Sequence, residues 1–517
     1  MLPSFRIKYN YFILLLFILI GAVLRFYHLA FFDLWFDEAQ SIISATDFDF
    51  YLHDFFKRDY SSRFIPPLYY TILHFWIKYF GVEEFSLRFL SAIAGVGSIP
   101  LIFLLGKKFY NTRVGLISAL ILALSPFHIW YAQEARFYSL SIFFSLLMAF
   151  SFFKIAQSRR KLFWYSAAVI ISVINFYLNY FSFFLFFSLV LFSIQYKNNN
   201  GLKPLFIFLY TTIAFLPFIP FFYKQIASIA RSFWMFPPRF QDIFNIIGNF
   251  FLGYNATVNQ FYLAITIVLL SVGIWFFTHK RKKNEYLLLS CSILPLLFFF
   301  VIGRYILPIY LSRYLIIFSP FFYILVSSLV LRIKYKKVFY LFLSFLVGLM
   351  IFSLSNYYQG KIVAPFRFHF GVYEKKTFKN AVKIIKDNFL PGDIIAHSYV
   401  STIDPFLYYL RKIPVRQKFV IITEEFDDKY WRDKIKSVEQ WRTKKPYKRK
   451  YYYGSPSFEF YKEHYNKRTW LISSNWARDG MLRPHSLAVR ERFSQEFDRA
   501  KSFYRDGIYI DLFIPKK

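Results

Sequence analysis

The chain has 517 residues, 56% hydrophobic and only 18% charged, with 72 Phe and 41 Tyr. Soluble domains carry about 45–50% apolar and about 25% charged residues, so this composition excludes an ordinary cytosolic enzyme. The net charge of +34, from 64 Lys+Arg against 30 Asp+Glu, accompanies long apolar runs and points to anionic lipid rather than nucleic acid. The single cysteine, Cys291, lies inside an apolar run, which excludes a disulfide framework and a Cys-based zinc cluster.

A spanning helix needs about 20 mostly apolar residues, and cytoplasmic loops collect Lys and Arg. The first run, 11–27, follows Arg6 and Lys8 and has no small-residue cleavage site, so it is expected as an anchored helix with its N-terminus inside. Further spans are expected at 85–106, 114–131, 137–156, 162–179, 181–196, 204–223, 259–278, 285–303, 311–331 and 338–356. The chain therefore reads as an α-helical polytopic membrane protein with about eleven transmembrane helices. Alternation then puts every basic cluster on the cytoplasmic side: Lys107, Lys108 and Arg113; Arg159 to Lys161; Lys197 and Lys203; Lys280 to Lys283; and Arg332 to Lys337. The short stretch 66–80 opens with Pro66-Pro67 and carries Tyr69, Tyr70, His74, Trp76 and Lys78, which suits a helix lying in the interface.

After Ser355 the composition changes. Residues 356–517 hold 33 of the 64 basic and 18 of the 30 acidic residues, with no run long enough to span. Helices are expected at 377–389 and 486–497, a turn at Pro391-Gly392-Asp393, and strands at 394–396, 469–472, 501–504 and 508–513. The order implies a transmembrane domain over 1–355, with a first outer loop at 28–84, and an extracytoplasmic soluble α/β domain over 356–517. The basic, tyrosine-rich stretch 427–453 reads as a solvated or headgroup-facing surface.

Only twelve acidic residues precede Asn356, and nine of them fall in the first outer loop: Asp33, Asp37, Glu38, Asp47, Asp49, Asp54, Asp59, Glu83 and Glu84. Glu134 and Asp242 are also expected outside, leaving Glu285 on the inner side. The positive-inside rule does not explain this clustering, because acidic residues contribute little to topology. Asp37-Glu38 directly follows Leu34-Trp35-Phe36, and Glu134 lies two residues from Arg136 between apolar runs. Ionisable groups so placed are costly and mark function by default. Asp47 and Asp49 read as solvated loop acids. Arg313-Tyr314, at the outer start of the tenth span, is a second basic candidate, with snorkelling to the headgroups as its bland alternative. Gly95-Val96-Gly97 lies inside an apolar run and reads as helix packing rather than a nucleotide loop.

Leu34-Trp35-Phe36-Asp37-Glu38-Ala39 resembles the Asp-Glu motif in the first outer loop of polyprenyl-phosphate-sugar-dependent GT-C glycosyltransferases. The nearest likeness is to bacterial relatives of protein O-mannosyltransferases and of the lipid A aminoarabinose transferase, a glycosyltransferase family 39-like pattern. It continues through Pro66-Pro67-Leu68-Tyr69-Tyr70, Leu87-Arg88-Phe89-Leu90-Ser91-Ala92, Gly106-Lys107-Lys108, Ser125-Pro126, Gln133-Glu134-Ala135-Arg136-Phe137-Tyr138 and Ser312-Arg313-Tyr314. It spans about residues 10–355, densely up to 160. The chain differs from the aminoarabinose transferase at Gln133-Glu134-Ala135-Arg136, which stands in place of a second Asp motif.

The resemblance implies a GT-C fold, a sugar donor carried on polyprenyl phosphate, and reaction at the outer face of the bacterial plasma membrane. Lipid, glycan or protein remain open as the acceptor. It also implies donor-phosphate or substrate contacts for Arg136, Tyr138, Arg313, Tyr314, Pro66, Pro67 and Tyr69. The chemistry suits the residues, since a carboxylate can take the proton of an acceptor hydroxyl. The leaving phosphate needs positive charge, from Arg136, Arg313 or a divalent cation. Asp37 is thus expected as the base, with Glu38 and Glu134 as orienting groups, and with Asp37 and Glu134 as the candidate ligands should a metal be used. A transporter or flippase of a polyprenyl-linked glycan, or a polysaccharide polymerase or ligase, are the competing readings.

Overall fold

The computed structural model describes residues 3–46, 48, 66–195, 203–232, 237–277, 283–363, 372, 378–398, 402–410, 418–421, 467–474, 484–505 and 508–516. Asp47, Asp49, Asp54, Asp59, Lys197, Lys280, Arg281, Lys282 and the stretch 427–453 lie outside the described residues. The chain divides into two compact units, Met1–Ala30 with Tyr51–Val372, and Phe31–Phe50 with Tyr373–Lys517.

The helices run in chain order from α1 (Pro3–Phe26), α2 (Phe36–Thr46), α3 (Leu68–Phe80) and α4 (Glu84–Phe109) to α5 (Thr112–Leu124) and α6 (Pro126–Ala132). Then come α7 (Tyr138–Gln157), α8 (Lys161–Phe176), α9 (Ser182–Gln195), α10 (Lys203–Phe215) and α11 (Ile219–Ser232). They are followed by α12 (Gln241–Leu252), α13 (Val258–Phe277), α14 (Lys283–Tyr305), α15 (Ser319–Val330) and α16 (Lys336–Tyr358). All of these except α2 belong to the first unit.

Six segments among the described residues are long and apolar enough to cross a membrane: Lys8–Phe26, Glu84–Phe109, Tyr138–Ile155, Pro204–Ala227, Asn284–Tyr305 and Lys336–Tyr358. Shorter apolar helices occupy Lys161–Phe176, Ser182–Ile194, Val258–Leu270 and Ile316–Val330. The protein is multi-pass. Each segment expected to span contains a helix, though at most seven meet the criteria of length and composition. The stretch 66–80 forms α3, which is not among them, and it exposes Phe75, Tyr79 and Phe80.

The segment 114–131, expected as a span, is broken into α5 and α6, bent by 58°. The cause is local. Pro126 has no N–H to give the Leu122 carbonyl four residues back, and its ring clashes with a continuing helix. The Ser125 side chain caps the restart by accepting from the His128 N–H at 3.3 Å, with proline at the first position of α6. At the other end of α5, α4 and α5 approach closely: a Cβ on Gly106 would meet Gly115 Cα at 2.9 Å. Glu285, the one acid expected inside, is buried and pairs with Arg332. Cys291 is buried, as expected of a small apolar filler.

The second unit is α/β. It contains α2, α17 (Phe378–Asn388), β1 (Ile394–His397), α18 (Ile403–Leu410), β2 (Lys418–Ile421), β3 (Thr469–Ser474), α19 (Pro484–Glu496), β4 (Phe497–Arg505) and β5 (Ile508–Pro515). The sheet order is β2-β1-β3-β5-β4, with β1 parallel to β2 and β3, and β5 antiparallel to β3 and β4. The inner strand β1 is buried along its length, as a parallel strand covered on both faces should be. Ile394, Ala396, Leu471, Val489, Phe493, Phe497 and Phe513 form its apolar core. Asp393 of the expected turn accepts from Leu390 N at 3.1 Å and from Trp470 Nε1 at 2.8 Å, while Gly392 takes φ 99°. A second buried carboxylate, Asp511, receives both Arg490 Nε at 2.5 Å and Nη2 at 3.0 Å, which fixes α19 against β5. The sequence did not disclose α18 or β2.

Candidate active site

The break between α5 and α6 sets the geometry of the first unit. It frees the carbonyls at the end of α5, and a fully buried arginine from α1 takes them. Arg25 Nη2 donates to Leu122 O at 2.9 Å, and Nη1 donates to Ala123 O at 3.1 Å and Gly21 O at 3.0 Å. A guanidinium placed on terminal helix carbonyls also meets the negative end of the helix dipole. Gly95 makes room for it, since a Cβ there would lie 3.0 Å from both Arg25 Nε and Ala132 Cβ. The Gly95-Val96-Gly97 run therefore serves packing.

Beyond α6 the chain turns through Gln133 to Phe137, all of it buried. Gln133 Nε2 donates to the carbonyls of Leu24, Arg25 and Tyr27 at 3.2, 3.0 and 2.6 Å, and its Oε1 accepts from Tyr357 Oη at 2.6 Å. Glu134 is 1% exposed, and its Oε1 accepts from Trp130 Nε1 at 2.6 Å, one helical turn back on α6. The Arg136 carbonyl accepts from Ser91 Oγ on α4 at 3.0 Å, and Arg88 of α4 donates to Leu29 O at 3.0 Å. These bonds give the Leu87–Ala92 motif a physical role, which is to hold the turn.

The Arg136 guanidinium is buried. Its Nη1 donates to Tyr70 Oη of α3 at 3.4 Å, and its carbon lies 5.6 Å from the Phe137 ring and 6.0 Å from the Tyr138 ring. Tyr69, fully buried beside it, stacks edge-on against Phe137 at 6.5 Å. Pro66 is buried, and Pro67 caps α3. Tyr138 lies 4.7 Å from the Tyr131 ring, and Tyr131 Oη shares a 2.7 Å hydrogen bond with Tyr254 Oη in the loop after α12. Burial holds the Tyr254 phenol well above the usual tyrosine range. The bond to Tyr131 and the charge of Arg313 oppose that shift, and Glu134 and Tyr138 reinforce it. Arg313, 5% exposed, lies over Tyr314 at 5.5 Å, and Tyr314 stacks on Phe181. Glu134, Tyr138 and Arg313 thus act on the same tyrosine pair, with Arg136 reaching that pair through Tyr138.

In the second unit, Asp37 and Glu38 occupy the first turn of α2, where carboxylates favour the helix dipole. Their environments differ. Glu38 is fully buried and its Oε2 accepts from Trp35 N at 3.4 Å, half of a capping box, whereas Asp37 is only half-buried. Glu38 is therefore committed to its own helix terminus, and Asp37 is the more open carboxylate. Among the described residues no three His, Cys, Asp or Glu side chains gather into a metal-binding group.

Sequence reasoning missed Arg25, and it named Gln133 without giving it a role. An arginine at the end of an apolar run reads as a snorkelling flank. A glutamine carries no charge to draw attention.

Residues 65–223 match the model of the dolichyl-phosphate-mannose-protein mannosyltransferase family. No curated protein matches the chain. ArnT from Cupriavidus metallidurans in the apo state superposes with a TM-score of 0.59 at 11% identity, covering 96% of this chain and 97% of that one. The chain has the GT-C fold. The same GT-C enzyme bound to undecaprenyl phosphate gives 0.56, again at 11% identity and covering 96% and 97%. The GT-C oligosaccharyltransferase AglB from Archaeoglobus fulgidus, in complex with an inhibitory peptide and a dolichol-phosphate, gives 0.51 at 13% identity, covering 99% of this chain and 77% of that one.

Proposed function

We propose that this protein moves a sugar from a polyprenyl-phosphate donor to a hydroxyl acceptor at the extracytoplasmic face of a bacterial plasma membrane. The observation that carries the reading is the buried turn Gln133–Tyr138, which sets a carboxylate and a guanidinium among the helices of a GT-C fold. Support for the carrier comes from the ArnT structure bound to undecaprenyl phosphate and the AglB structure with dolichol-phosphate. In the reaction, Asp37 takes the proton of the acceptor hydroxyl as its oxygen bonds to the anomeric carbon. The bond from that carbon to the phosphate oxygen breaks, and polyprenyl phosphate leaves with the electron pair. Arg136 and Arg313 stabilise the charge growing on the phosphate, a task suited to planar guanidinium groups. One displacement inverts the anomeric centre. The acceptor is a lipid, a glycan or a protein hydroxyl of the envelope.

Purified protein in lipid vesicles should release polyprenyl phosphate from a polyprenyl-phosphate sugar only when acceptor is present. Turnover with a soluble nucleotide sugar and no lipid carrier would overturn the proposal. Movement of the lipid-linked sugar across the bilayer without release would favour a transporter, which could also use a helix broken at Ser125-Pro126. Asp37→Asn should lower turnover by about 10²–10⁴-fold, with Asp47→Asn and Asp49→Asn as near-neutral controls. A reporter fused after Lys283 should read cytoplasmic and one at Lys517 extracytoplasmic, and finding both on one side would refute the expected topology.

A further inference from the structure

The role of the C-terminal residues follows from how the second unit is assembled. The segment carrying Asp37 and Glu38 is part of that unit, although more than 300 residues separate it in sequence from its partners there. Helix α2 buries Glu38, Ala39, Ser41, Ile42, Ser44 and Ala45 and packs on α18, which in turn packs on α17. Its approach is fixed by three polar contacts in a row. Asp33 is 2% exposed, and its Oδ2 accepts from Lys379 N at 2.7 Å, on the first turn of α17. Its other oxygen lies 3.4 Å from Lys379 Nζ, which also sits 5.5 Å from the centre of the Tyr409 ring. Tyr409, on α18, accepts from Leu34 N at 2.8 Å through its hydroxyl.

We propose that Asp33, Lys379 and Tyr409 are positioning residues through which the C-terminal domain sets the orientation of Asp37; this rests on the reading of Asp37 as the base. The physical basis is that Leu34 and Trp35 are the last residues before α2 begins. Bonding Leu34 N to Tyr409, and Asp33 to the start of α17, fixes both the entry angle and the rotation of the helix. Rotation determines where Asp37 points, because Glu38, the next residue, is fully buried on the packed side of the helix. Misplacement of a reacting group by about 1 Å can cost about 10²-fold in rate. The domain thus acts on catalysis without contributing a reacting atom.

The test uses the full chain in vesicles with a polyprenyl-phosphate sugar and acceptor. Tyr409→Phe keeps the ring beside Lys379 and removes only the oxygen that holds Leu34 N. Asp33→Asn removes the ion pair, and Lys379→Arg preserves it as the conservative variant. Tyr409→Phe and Asp33→Asn should lower kcat by roughly 10-fold or more. The KM for the donor should stay within about twofold, because the phosphate contacts assigned to Arg136 and Arg313 are untouched. Lys379→Arg should stay near the parent. In an Asp37→Asn background, Tyr409→Phe should cost nothing more, since a residue acting through Asp37 has nothing left to position. Amide exchange at residues 34–41 should quicken in Tyr409→Phe while exchange in β1 and β3 does not, which separates loosening of the segment from unfolding of the domain.

Normal kcat in both variants, with Asp37→Asn inactive, would overturn this inference and leave the base assignment standing. Full additivity with Asp37→Asn would overturn it as well. Near-normal turnover in Asp37→Asn would overturn both, whatever Tyr409→Phe does.

Discussion

Gln133 Nε2 donates to the carbonyl of Arg25 at 3.0 Å, while the Arg25 side chain caps α5, the first half of the broken helix that leads through α6 into the turn bearing Gln133. Each residue thus closes the helix end of the other's strand of chain. The first helix ends at Phe26, and its last carbonyls need donors where there is little water to supply them. Gln133 supplies one side chain to several of them, and Tyr357 holds its oxygen. The bend at Ser125-Pro126 needs donors for the same reason and receives them from Arg25. The exchange ties α1, α5, α6 and α16 together around the turn that carries Glu134 and Arg136.

Arg25→Met should expose how much the bend depends on this cap. The substitution leaves the Leu122 and Ala123 carbonyls buried without their donor, at a cost of about 1–3 kcal/mol for each. Arg25→Lys should be nearly as damaging, because a single ammonium cannot span acceptors on two sides as a planar fork does. Thermal unfolding in detergent with a reporter of tertiary structure would measure both. A lysine variant as stable as the parent would show that charge rather than the fork is what matters.

Gln133→Glu keeps the shape of the side chain and removes its donor. The carboxylate would then face the carbonyls of Leu24, Arg25 and Tyr27, so this isosteric change should destabilise more than Tyr357→Phe. The latter loses one bond, worth about 0.5–1.5 kcal/mol. The comparison requires folded yield and unfolding midpoints of the two variants side by side. A glutamate variant no weaker than Tyr357→Phe would contradict the capping role.

The parts of the candidate site that were legible in the sequence were its charges. Asp37-Glu38, Glu134 and Arg136 stood out because acids are rare in the membrane half and a buried charge is costly. The Pro391-Gly392-Asp393 turn and four of the five strands followed from local chemistry, since turn residues and alternation act over a few positions. The break in 114–131 was hidden because apolar residues continue straight through Pro126, and hydropathy does not register a missing N–H. The pairing of Asp33 with Lys379 and of Leu34 with Tyr409 was not legible at all. Those contacts bring together residues far apart in the chain, and nothing local in either segment marks the other as its partner. Strand β2 is four residues long in a basic stretch, too short for its period to show.

His397 predicts acid sensitivity in the second unit. The residue ends β1, is fully buried, and shares a 2.9 Å hydrogen bond between Nδ1 and Thr402 Oγ1. Burial lowers its pKa from 6.5 to about 3. The unfolded chain therefore takes up a proton below about pH 6.5 that the folded chain refuses until about pH 3, so stability falls as pH drops through that window. Protection factors of the β1 and β3 amides in the full chain, corrected for the intrinsic pH dependence of exchange, should fall between pH 6.5 and 5. His397→Asn keeps an acceptor near Thr402 and removes the titration, so it should flatten that dependence even if it lowers stability at neutral pH. An unchanged slope would assign the acid sensitivity to another group.

The carboxylate at Glu134 separates a structural from a functional role most sharply. Its Oε1 accepts from Trp130 Nε1, and a glutamine oxygen can accept the same bond, so Glu134→Gln should fold. What the variant loses is the negative charge that acts on Tyr131 and Tyr254. If that charge orients Arg136 and Arg313, the guanidinium groups proposed to hold the donor phosphate, donor KM should rise and turnover should fall together, by roughly 10-fold or more. Arg136→Lys should raise donor KM as well, because it keeps the charge and loses the bidentate fork. Trp130→Phe provides the structural counterpart: it removes the indole donor while leaving the carboxylate in place, and should affect stability more than donor binding. Transfer rates across a donor series, at matched folded concentration, distinguish the cases. Unaltered kinetics in Glu134→Gln would reduce Glu134 to a partner of Trp130 and remove it from the proposed donor-phosphate site.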